Sequence, residues 1–317
     1  MAPSFKIDIS ENTLRHRGNI LDILLLDRTR STASRTYNII WATDIYEKKY
    51  HKDYGVKKQI KREQITGMNG KLIQPRAAKG KEEQKYRTKD KAEVFTPLKI
   101  VKEMNMAVDW ASKNWPVRQD NWVDYISEKR LEITCGEAPF IAGRYNPTAH
   151  TGIVISPSNR VGFLDRKLQY VSIYSRNKKE WLHYAEMALK ACYGYEWQGD
   201  NLLIAKENIL FTMNDFYVDK FNKNLTIKEL ENFAEIIAWN IFQMDGIKFV
   251  IPMSCKHVNR VIPGEITLFG STPDTVEKDE CEGCKLNRPE KHNGKYVKIM
   301  DWETGKQVRF VDLLKNN

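Results

Sequence analysis

Cysteine and histidine side chains with the spacing of a zinc site lie in the C-terminal part of the chain. Cys281 and Cys284 form a Cys-x2-Cys pair, which can supply two zinc ligands from one turn. Cys255 and His257 precede this pair, and His292 follows it. The sequence therefore predicts a structural zinc site made of Cys255, Cys281, Cys284 and either His257 or His292. The alternative is a set of unpaired thiols in a polar loop.

A second candidate site begins where a short strand runs into a turn of small residues. The segment 131–141 reads Leu-Glu-Ile-Thr-Cys-Gly-Glu-Ala-Pro-Phe-Ile, and its small residues allow a ligand to approach the backbone. The next strand signal, 193–197, carries Glu196 near its end. In open α/β sheets ligands bind at the carboxyl ends of strands, where an acid can accept hydrogen bonds from ribose hydroxyls. This ordered pair predicts a nucleotide-like ligand.

Three motifs in this order resemble the gamma-class adenine-N6 DNA methyltransferases, which include the M subunits of restriction–modification systems. The motifs are Phe-Thr-Pro at 95–97, the turn segment at 131–141, and Tyr-Gly-Tyr-Glu at 193–196 followed by Leu-Ile-Ala-Lys-Glu-Asn at 203–208. The resemblance covers about residues 84–217. It implies S-adenosylmethionine (SAM) as cofactor, DNA as substrate, and a Rossmann-like sheet with helices on both faces.

The resemblance also implies roles for individual residues. Thr96 would hold the SAM carboxylate, Glu132 the methionine part, and Glu196 the ribose. Trp197 would pack on the adenine, and Asp301 matches an acid that contacts the adenine in the family. The complete implied set is Phe95, Thr96, Pro97, Glu132, Cys135, Gly136, Glu137, Glu196, Trp197 and Asp301.

The chain departs from the family at the catalytic motif. No Asn/Asp-Pro-Pro-aromatic sequence occurs in the 317 residues, and Ile133 and Thr134 replace the proline and alanine of the first motif. Asn146-Pro147 follows that motif directly, which is the wrong place for a catalytic segment. The catalytic residues are therefore unassigned. A partner chain could supply them, or the protein could be an inactive SAM- or DNA-binding relative with a regulatory or counter-defence role. A substituted motif is a third route.

The positive charge is confined to one segment. The chain has a formal net charge of +10, and residues 48–91 contain 15 Lys and Arg and five acidic residues, so this window accounts for the whole excess. One interpretation is a basic arm that follows DNA phosphates, with Lys57, Lys58, Lys61 and Arg62 among its contacts. The other is a solvated linker.

The elements expected to position these residues alternate between strand and helix signals, which predicts an α/β fold. Strands are expected at 20–26, 37–42, 249–251 and 296–300, in addition to the two strands near the turn. Asp200 is expected to cap a helix, and Thr226 and Glu229 form a capping box for a helix that runs to Gly246. Four regions follow: a small β element at 1–47, the basic segment at 48–91, the SAM-binding domain at 92–253, and a Cys/His-containing extension at 254–317.

Composition excludes several classes of protein. Apolar residues make up 41% of the chain and charged residues 29%, a balance that argues against a disordered protein. No long uncharged apolar run is present, so no membrane partner is expected. Residues 1–10 do not read as a secretory signal. The five cysteines are an odd number and are expected to be reduced thiols in the cytoplasm.

Overall fold

The computed structural model describes residues 17–91, 93–149, 153–263, 266–267, 270–271 and 273–316, so the expectation for residues 1–10 lies outside the described residues. The α-helices are α1 Ile20–Leu25, α2 Ile45–Lys49, α3 Arg62–Ile65, α4 Lys81–Lys91, α5 Leu98–Ala111, α6 Trp122–Ser127, α7 Phe163–Tyr174, α8 Lys178–Lys190, α9 Gly199–Phe221, α10 Ile227–Asn240 and α11 Glu282–Leu286. The strands are β1 Arg130–Glu132, β2 Cys192–Glu196, β3 Ile241–Gln243, β4 Val258–Ile262, β5 Ile266–Thr267, β6 Gly270–Ser271, β7 Thr275–Asp279, β8 Lys298–Asp301 and β9 Lys306–Arg309.

A parallel three-stranded sheet in the order β1-β2-β3 is the framework of the fold. Leu131 pairs with Tyr193, and Tyr195 pairs with Phe242. Parallel neighbours require long crossover connections, and helices supply them here. Helices α7 and α8 lie between the first two strands, and α9 and α10 lie between the second and third. The predicted mixed α/β class is confirmed.

The two faces of the sheet are covered differently. Cys192 and Ile241 belong to the main core, which contains the apolar residues of the crossover helices. The alternate residues of β2 belong to a second cluster, where they meet the segment 249–251 and the β8–β9 hairpin. Its buried members are Tyr193, Tyr195, Phe242, Met244, Ile251, Val297 and Ile299. The resemblance implied helices on both faces, whereas in the described part of the chain a hairpin covers the second face.

The prediction of a strand at 20–26 is wrong, because Ile20–Leu25 forms helix α1. Its buried residues pack against helix α10, and the Lys206 ammonium donates a hydrogen bond to the Leu24 carbonyl at 2.8 Å. A short apolar run fits a buried helix and a buried strand equally well, so only tertiary contacts separate them. The segment 37–42 contributes isolated bridges, Leu26 to Asn38 and Ile40 to Gln59.

The capping box of helix α10 is confirmed, but the helix is shorter than expected. The Thr226 hydroxyl accepts from the Glu229 N–H at 3.3 Å, and the Glu229 carboxylate accepts from the Thr226 N–H at 2.8 Å. The helix ends at Asn240 rather than near Gly246, because the next three residues pair with β2. The expectation that Asp200 caps helix α9 is also wrong, because Asp200 lies inside the first turn of that helix and Gln198 is the residue before it.

The basic segment 48–91 is folded onto the body of the protein. Tyr54, Ile60, Ile65 and Ile73 are buried in the main core, so the segment is not a detached linker. Most of the charged side chains between them are exposed, and Arg62 is partly buried. Among the described residues, no helix combines the length and the apolar character needed to cross a membrane.

Candidate cofactor pocket and metal cluster

A pocket of about 390 Å³ lies at the carboxyl ends of β1 and β2. Three segments that are far apart in the sequence form its wall: the residues before α5, the turn after β1, and the end of β2. Its lining residues are Lys91, Glu93, Val94, Phe95, Thr96, Glu132, Ile133, Thr134, Cys135, Gly136, Pro139, Phe140, Glu196, Trp197, Gln198 and Asn201. The volume lies in the range of small-molecule sites.

The turn after β1 has a backbone that few residues adopt. Thr134, Gly136 and Ala138 all have positive φ angles, of 44°, 54° and 60°. A Cβ atom on Gly136 would lie 3.3 Å from the Phe95 ring, so glycine serves both the left-handed backbone and a close contact. Non-glycine residues with positive φ are strained and tend to be found at ligand sites.

Glu132 and Glu196 hold this turn in place from two sides. The Glu132 carboxylate accepts hydrogen bonds from the N–H groups of Phe140 at 3.2 Å and Ile141 at 3.0 Å. The Glu196 carboxylate accepts from the Gly136 N–H at 2.8 Å and from the Gln198 N–H at 3.1 Å. Both residues line the pocket.

Burial perturbs the acidity of both groups. It raises the pKa of Glu132 well above its usual range, although two backbone donors act in the opposite direction. Burial likewise raises the pKa of Glu196 to about 7, again against backbone hydrogen bonds. Strongly perturbed carboxyl groups in a cleft are typical of functional sites.

The pocket also contains acceptor groups that the sequence did not reveal. Buried oxygens of Glu93 (Oε2), Gln198 (Oε1) and Asn201 (Oδ1) have no hydrogen-bond partner among the described residues. Buried polar atoms are nearly always satisfied, so three such oxygens in one pocket indicate a missing donor-rich ligand or water. Glu93 lies two residues before Phe95, and Gln198 and Asn201 lie two and five residues after Glu196, so closeness to the two motifs is the signal that the sequence offers.

The other predicted cofactor residues divide into two groups. Phe95, Thr96, Cys135 and Trp197 line the pocket, and the Trp197 ring is 36% exposed while its Nε1–H donates to the Ala42 carbonyl. The remaining three do not line it.

Pro97 is the residue before helix α5 and not part of the lining. Glu137 is turned away: its carboxylate accepts from the Tyr145 hydroxyl and the Arg76 N–H, both at 2.6 Å. Asp301 is on β8, where it accepts from Thr304, and it lines a different cavity. The β8–β9 hairpin packs on the second face of the sheet and places Asp301 in a cavity with Arg130 and Tyr193, near the beginnings of β1 and β2 rather than at their carboxyl ends.

Four of the predicted metal ligands converge on one point. The ligand atoms of Cys255, Cys281, Cys284 and His292 all lie within 4.8 Å of one another, so the group could hold a metal ion. His292 Nδ1 is 3.7, 3.6 and 3.6 Å from the three sulfur atoms in that order. A tetrahedral zinc ion with usual bond lengths separates sulfur from nitrogen by about 3.6 Å. His257 is exposed and lies outside the group.

Two glycines allow this convergence. A Cβ on Gly283 would lie 2.5 Å from the His292 backbone N, and one on Gly294 would lie 3.0 Å from Cys255 Sγ. Such distances are shorter than real Cβ contacts, so each position requires glycine or a shift of the neighbouring chain. The geometry thus selects His292 from the two alternatives left open by the sequence.

The predicted DNA contacts lie on the surface of the basic segment. Lys57, Lys58 and Lys61 are exposed, while Arg62 is partly buried and forms an ion pair with Asp22. The assignment of these four residues to DNA binding stays a prediction.

No family model, curated protein or solved structure matches this chain, so the chemistry of the pocket and the metal cluster is the basis for a functional assignment.

Proposed function

We propose that the pocket binds SAM and that this chain is the SAM-binding part of a DNA adenine-N6 methyltransferase. The observation that carries the proposal is the convergence of the three family-like motifs. The residues 93–96, the turn around Gly136, and Glu196 come from separate parts of the sequence and form one pocket at the carboxyl ends of two parallel strands. This is where open α/β sheets bind nucleotide-like ligands.

The charges and acceptors of the pocket suit SAM. The acidic lining residues are Glu93, Glu132 and Glu196. Glu93 is paired with Arg87 and burial raises the pKa of Glu132 well above its usual range, so Glu196, with a pKa of about 7, is the acid whose charge a cation would favour. SAM carries a sulfonium and an ammonium cation against one carboxylate, and it has several hydroxyl and amino donors. A cationic, donor-rich ligand would stabilise the charged form of Glu196 and donate to the buried oxygens that have no hydrogen-bond partner among the described residues.

Individual roles follow from the resemblance and from position in the pocket. Glu196 would accept from the ribose hydroxyls, and Trp197 would pack against the adenine. Thr96 lines the pocket and would hold the ligand carboxylate, whereas Lys91 is paired with Asp44. Glu93 is paired with Arg87 through Oε1, so its Oε2 would accept from the ammonium. When bound, SAM supplies an electrophilic methyl group, while the residues of this chain bind and orient it.

The acceptors for the exocyclic amine of adenine would come from a partner chain. The 317 residues contain no Asn/Asp-Pro-Pro-aromatic motif, and Asn146 is occupied with the Thr148 N–H and hydroxyl rather than lining the pocket. The missing motif also favours the second candidate: an inactive SAM- and DNA-binding protein with a regulatory or counter-defence role. Either function would operate in the cytoplasm of a prokaryotic or phage-infected cell.

We further propose that the Cys255, Cys281, Cys284 and His292 cluster holds structural zinc. Three thiolates and one imidazole form a closed set of four protein ligands, which is typical of structural rather than catalytic zinc. Cys255 precedes β4 and Cys281 follows β7, so the ion would join the two ends of this antiparallel pair.

Calorimetric titration of the purified chain with SAM tests the central proposal. We expect saturable binding at one site, and no measurable binding would contradict both candidate functions. Tritiated methyl transfer to DNA, with and without the products of neighbouring genes, separates them. Transfer that requires a second chain supports the methyltransferase subunit. SAM binding without transfer in any combination supports the inactive relative.

A further inference from the structure

Three lysines on helix α4 form no ion pair with another element in the part of the chain that the structure describes. Lys81, Lys85 and Lys89 are four residues apart, so they share one face of the helix, and all three are exposed. Lys85 alone has an ion-pair partner among the described residues, Glu82 at 3.4 Å on an exposed surface. Such a pair contributes little to stability.

These lysines form one side of a groove. Together with Arg76, Gln84 and Thr88 they line a shallow space of about 560 Å³ in which every charged lining group is basic. Gln84 is buried, and its side-chain amide donates to the Arg76 carbonyl at 2.8 Å, which ties helix α4 to the segment that carries Arg76. The groove is thus a shaped, positively charged surface.

The groove shares a wall with the cofactor pocket. The Arg76 guanidinium donates to the Thr88 hydroxyl at 3.0 Å and lies over the Phe95 ring, 5.2 Å from its centroid. Phe95 lines the pocket and contacts the Gly136 turn. A polyanion in the groove would therefore lie directly beside the bound cofactor.

We propose that this groove binds the phosphate backbone of duplex DNA. Charge complementarity selects a polyanion, and the choice of duplex DNA rests on the proposed function. The groove lies within the basic segment 48–91 but does not include the four contacts named from the sequence, Lys57, Lys58, Lys61 and Arg62. Those residues are not among the lining residues of either the groove or the cofactor pocket, and Arg62 is engaged with Asp22.

The test compares two triple variants of the full chain. One is Lys81→Gln, Lys85→Gln, Lys89→Gln, and the matched control is Lys57→Gln, Lys58→Gln, Lys61→Gln. Binding to a short labelled DNA duplex is measured by fluorescence anisotropy over a series of salt concentrations. Loss of three phosphate contacts should reduce the slope of log K against log salt by about 2.7 in the helix variant and leave the control slope unchanged. An unchanged slope in the helix variant, or a larger change in the control, overturns the proposal.

Two further measurements keep the result interpretable. Acetylation of lysines in the wild-type chain, with and without the duplex, should show protection of Lys81, Lys85 and Lys89; equal modification overturns the proposal without any variant. Equal or tighter binding of an RNA duplex of the same sequence overturns the assignment to DNA. Calorimetry with SAM on the same samples is separate: failed SAM binding with retained DNA binding would contradict the proposed function and leave the groove standing.

Discussion

The Glu196 carboxylate accepts a hydrogen bond from the backbone N–H of Gly136, with 2.8 Å between nitrogen and Oε2. The two residues lie sixty positions apart, Gly136 in the turn that follows β1 and Glu196 at the end of the neighbouring parallel strand β2. The contact joins the acid at the end of β2 to the turn at the end of β1, so the pocket is a preorganised structure that both strands define.

Glu196→Ala should weaken SAM binding about tenfold or more, because hydrogen bonds from hydroxyl groups to a charged carboxylate contribute about 1.5–3 kcal/mol each. Calorimetric titration measures the change. Glu137→Ala is the matched control, since it also removes a buried carboxylate from this turn but does not line the pocket. Equal loss of affinity in both variants would show a general effect on the turn and contradict the role given to Glu196.

SAM affinity should fall as pH decreases through about 7. Burial raises the pKa of Glu196 to about 7, so the carboxylate that accepts the hydroxyl groups and attracts the cation becomes protonated in this range. Titrations at a series of pH values should show a rising Kd on the acidic side and a plateau on the alkaline side, and Glu196→Ala should remove this dependence. A wild-type Kd that is constant across this range would contradict the assignment.

Deprotonation of Glu196 should strengthen SAM binding but lower the free energy of unfolding. An exposed glutamate, as in the unfolded chain, has a pKa of 4.5, whereas the pKa of Glu196 in the folded protein is about 7. The folded state therefore binds this proton more tightly than the unfolded state does. The contribution of Glu196 to the free energy of unfolding is therefore greatest below about 4.5 and is lost as pH rises through about 7.

Gly136→Ala should lower the free energy of unfolding by about 2 kcal/mol and weaken SAM binding. The left-handed backbone costs about 1–2 kcal/mol for a residue with a Cβ, and the added methyl group would press on Phe95. Gly305→Ala is the control, because it has φ +67° but no atom within 4 Å of the new Cβ. Denaturant unfolding should show the smaller loss for Gly305→Ala, and equal losses would contradict the role of the Phe95 contact.

Removal of the metal should destabilise the C-terminal part of the chain while the SAM pocket is retained. Elemental analysis should find one zinc ion per chain, and a strong chelator or Cys284→Ser should abolish it. Hydrogen exchange should then increase around 255–296, because the cluster joins segments with few buried apolar residues. Cys192→Ser is the control and should keep the metal, since Cys192 lies in the core outside the cluster. If the purified protein contains no zinc, or if removal of zinc leaves hydrogen exchange around 255–296 unchanged, the proposal of a structural zinc site is contradicted.

Arg87→Met should lower the free energy of unfolding by about 3–5 kcal/mol. The Arg87 guanidinium is buried and donates to Asp200 at 2.8 Å, to Glu93 at 3.0 Å and to the Tyr46 hydroxyl at 3.0 Å. Its loss would leave two buried carboxylates uncompensated.

Arg118→Met is the matched control for Arg87→Met, because Arg118 forms an exposed ion pair with Asp120. That variant should change the free energy of unfolding by about 0–1 kcal/mol in the same denaturant titration. A similar decrease in the free energy of unfolding for the two arginine variants would contradict the claim that the buried contacts of Arg87 stabilise the fold.

The sequence predicted features that depend on local chemistry. The capping box of Thr226 and Glu229 fixed the start of helix α10, and strand β2 was recognisable from its aromatic residues. The Cys281 and Cys284 pair was readable because two zinc ligands come from one turn. Each of these signals lies within a few consecutive residues, so it can be read without the fold.

Contacts between distant segments decided the rest. Ile20–Leu25 became a helix because it packs against α10, and Ile241–Gln243 became a strand because it pairs with β2. His292 rather than His257 joined the cysteines because the chain folds back at Gly294.

The unpaired oxygens of the pocket and the wall shared by Arg76 and Phe95 also arise only when separate segments meet. The types of the reactive residues were therefore fixed by the sequence. Their partners, burial and acidity were fixed by the tertiary structure, because these depend on which groups exclude water from one another.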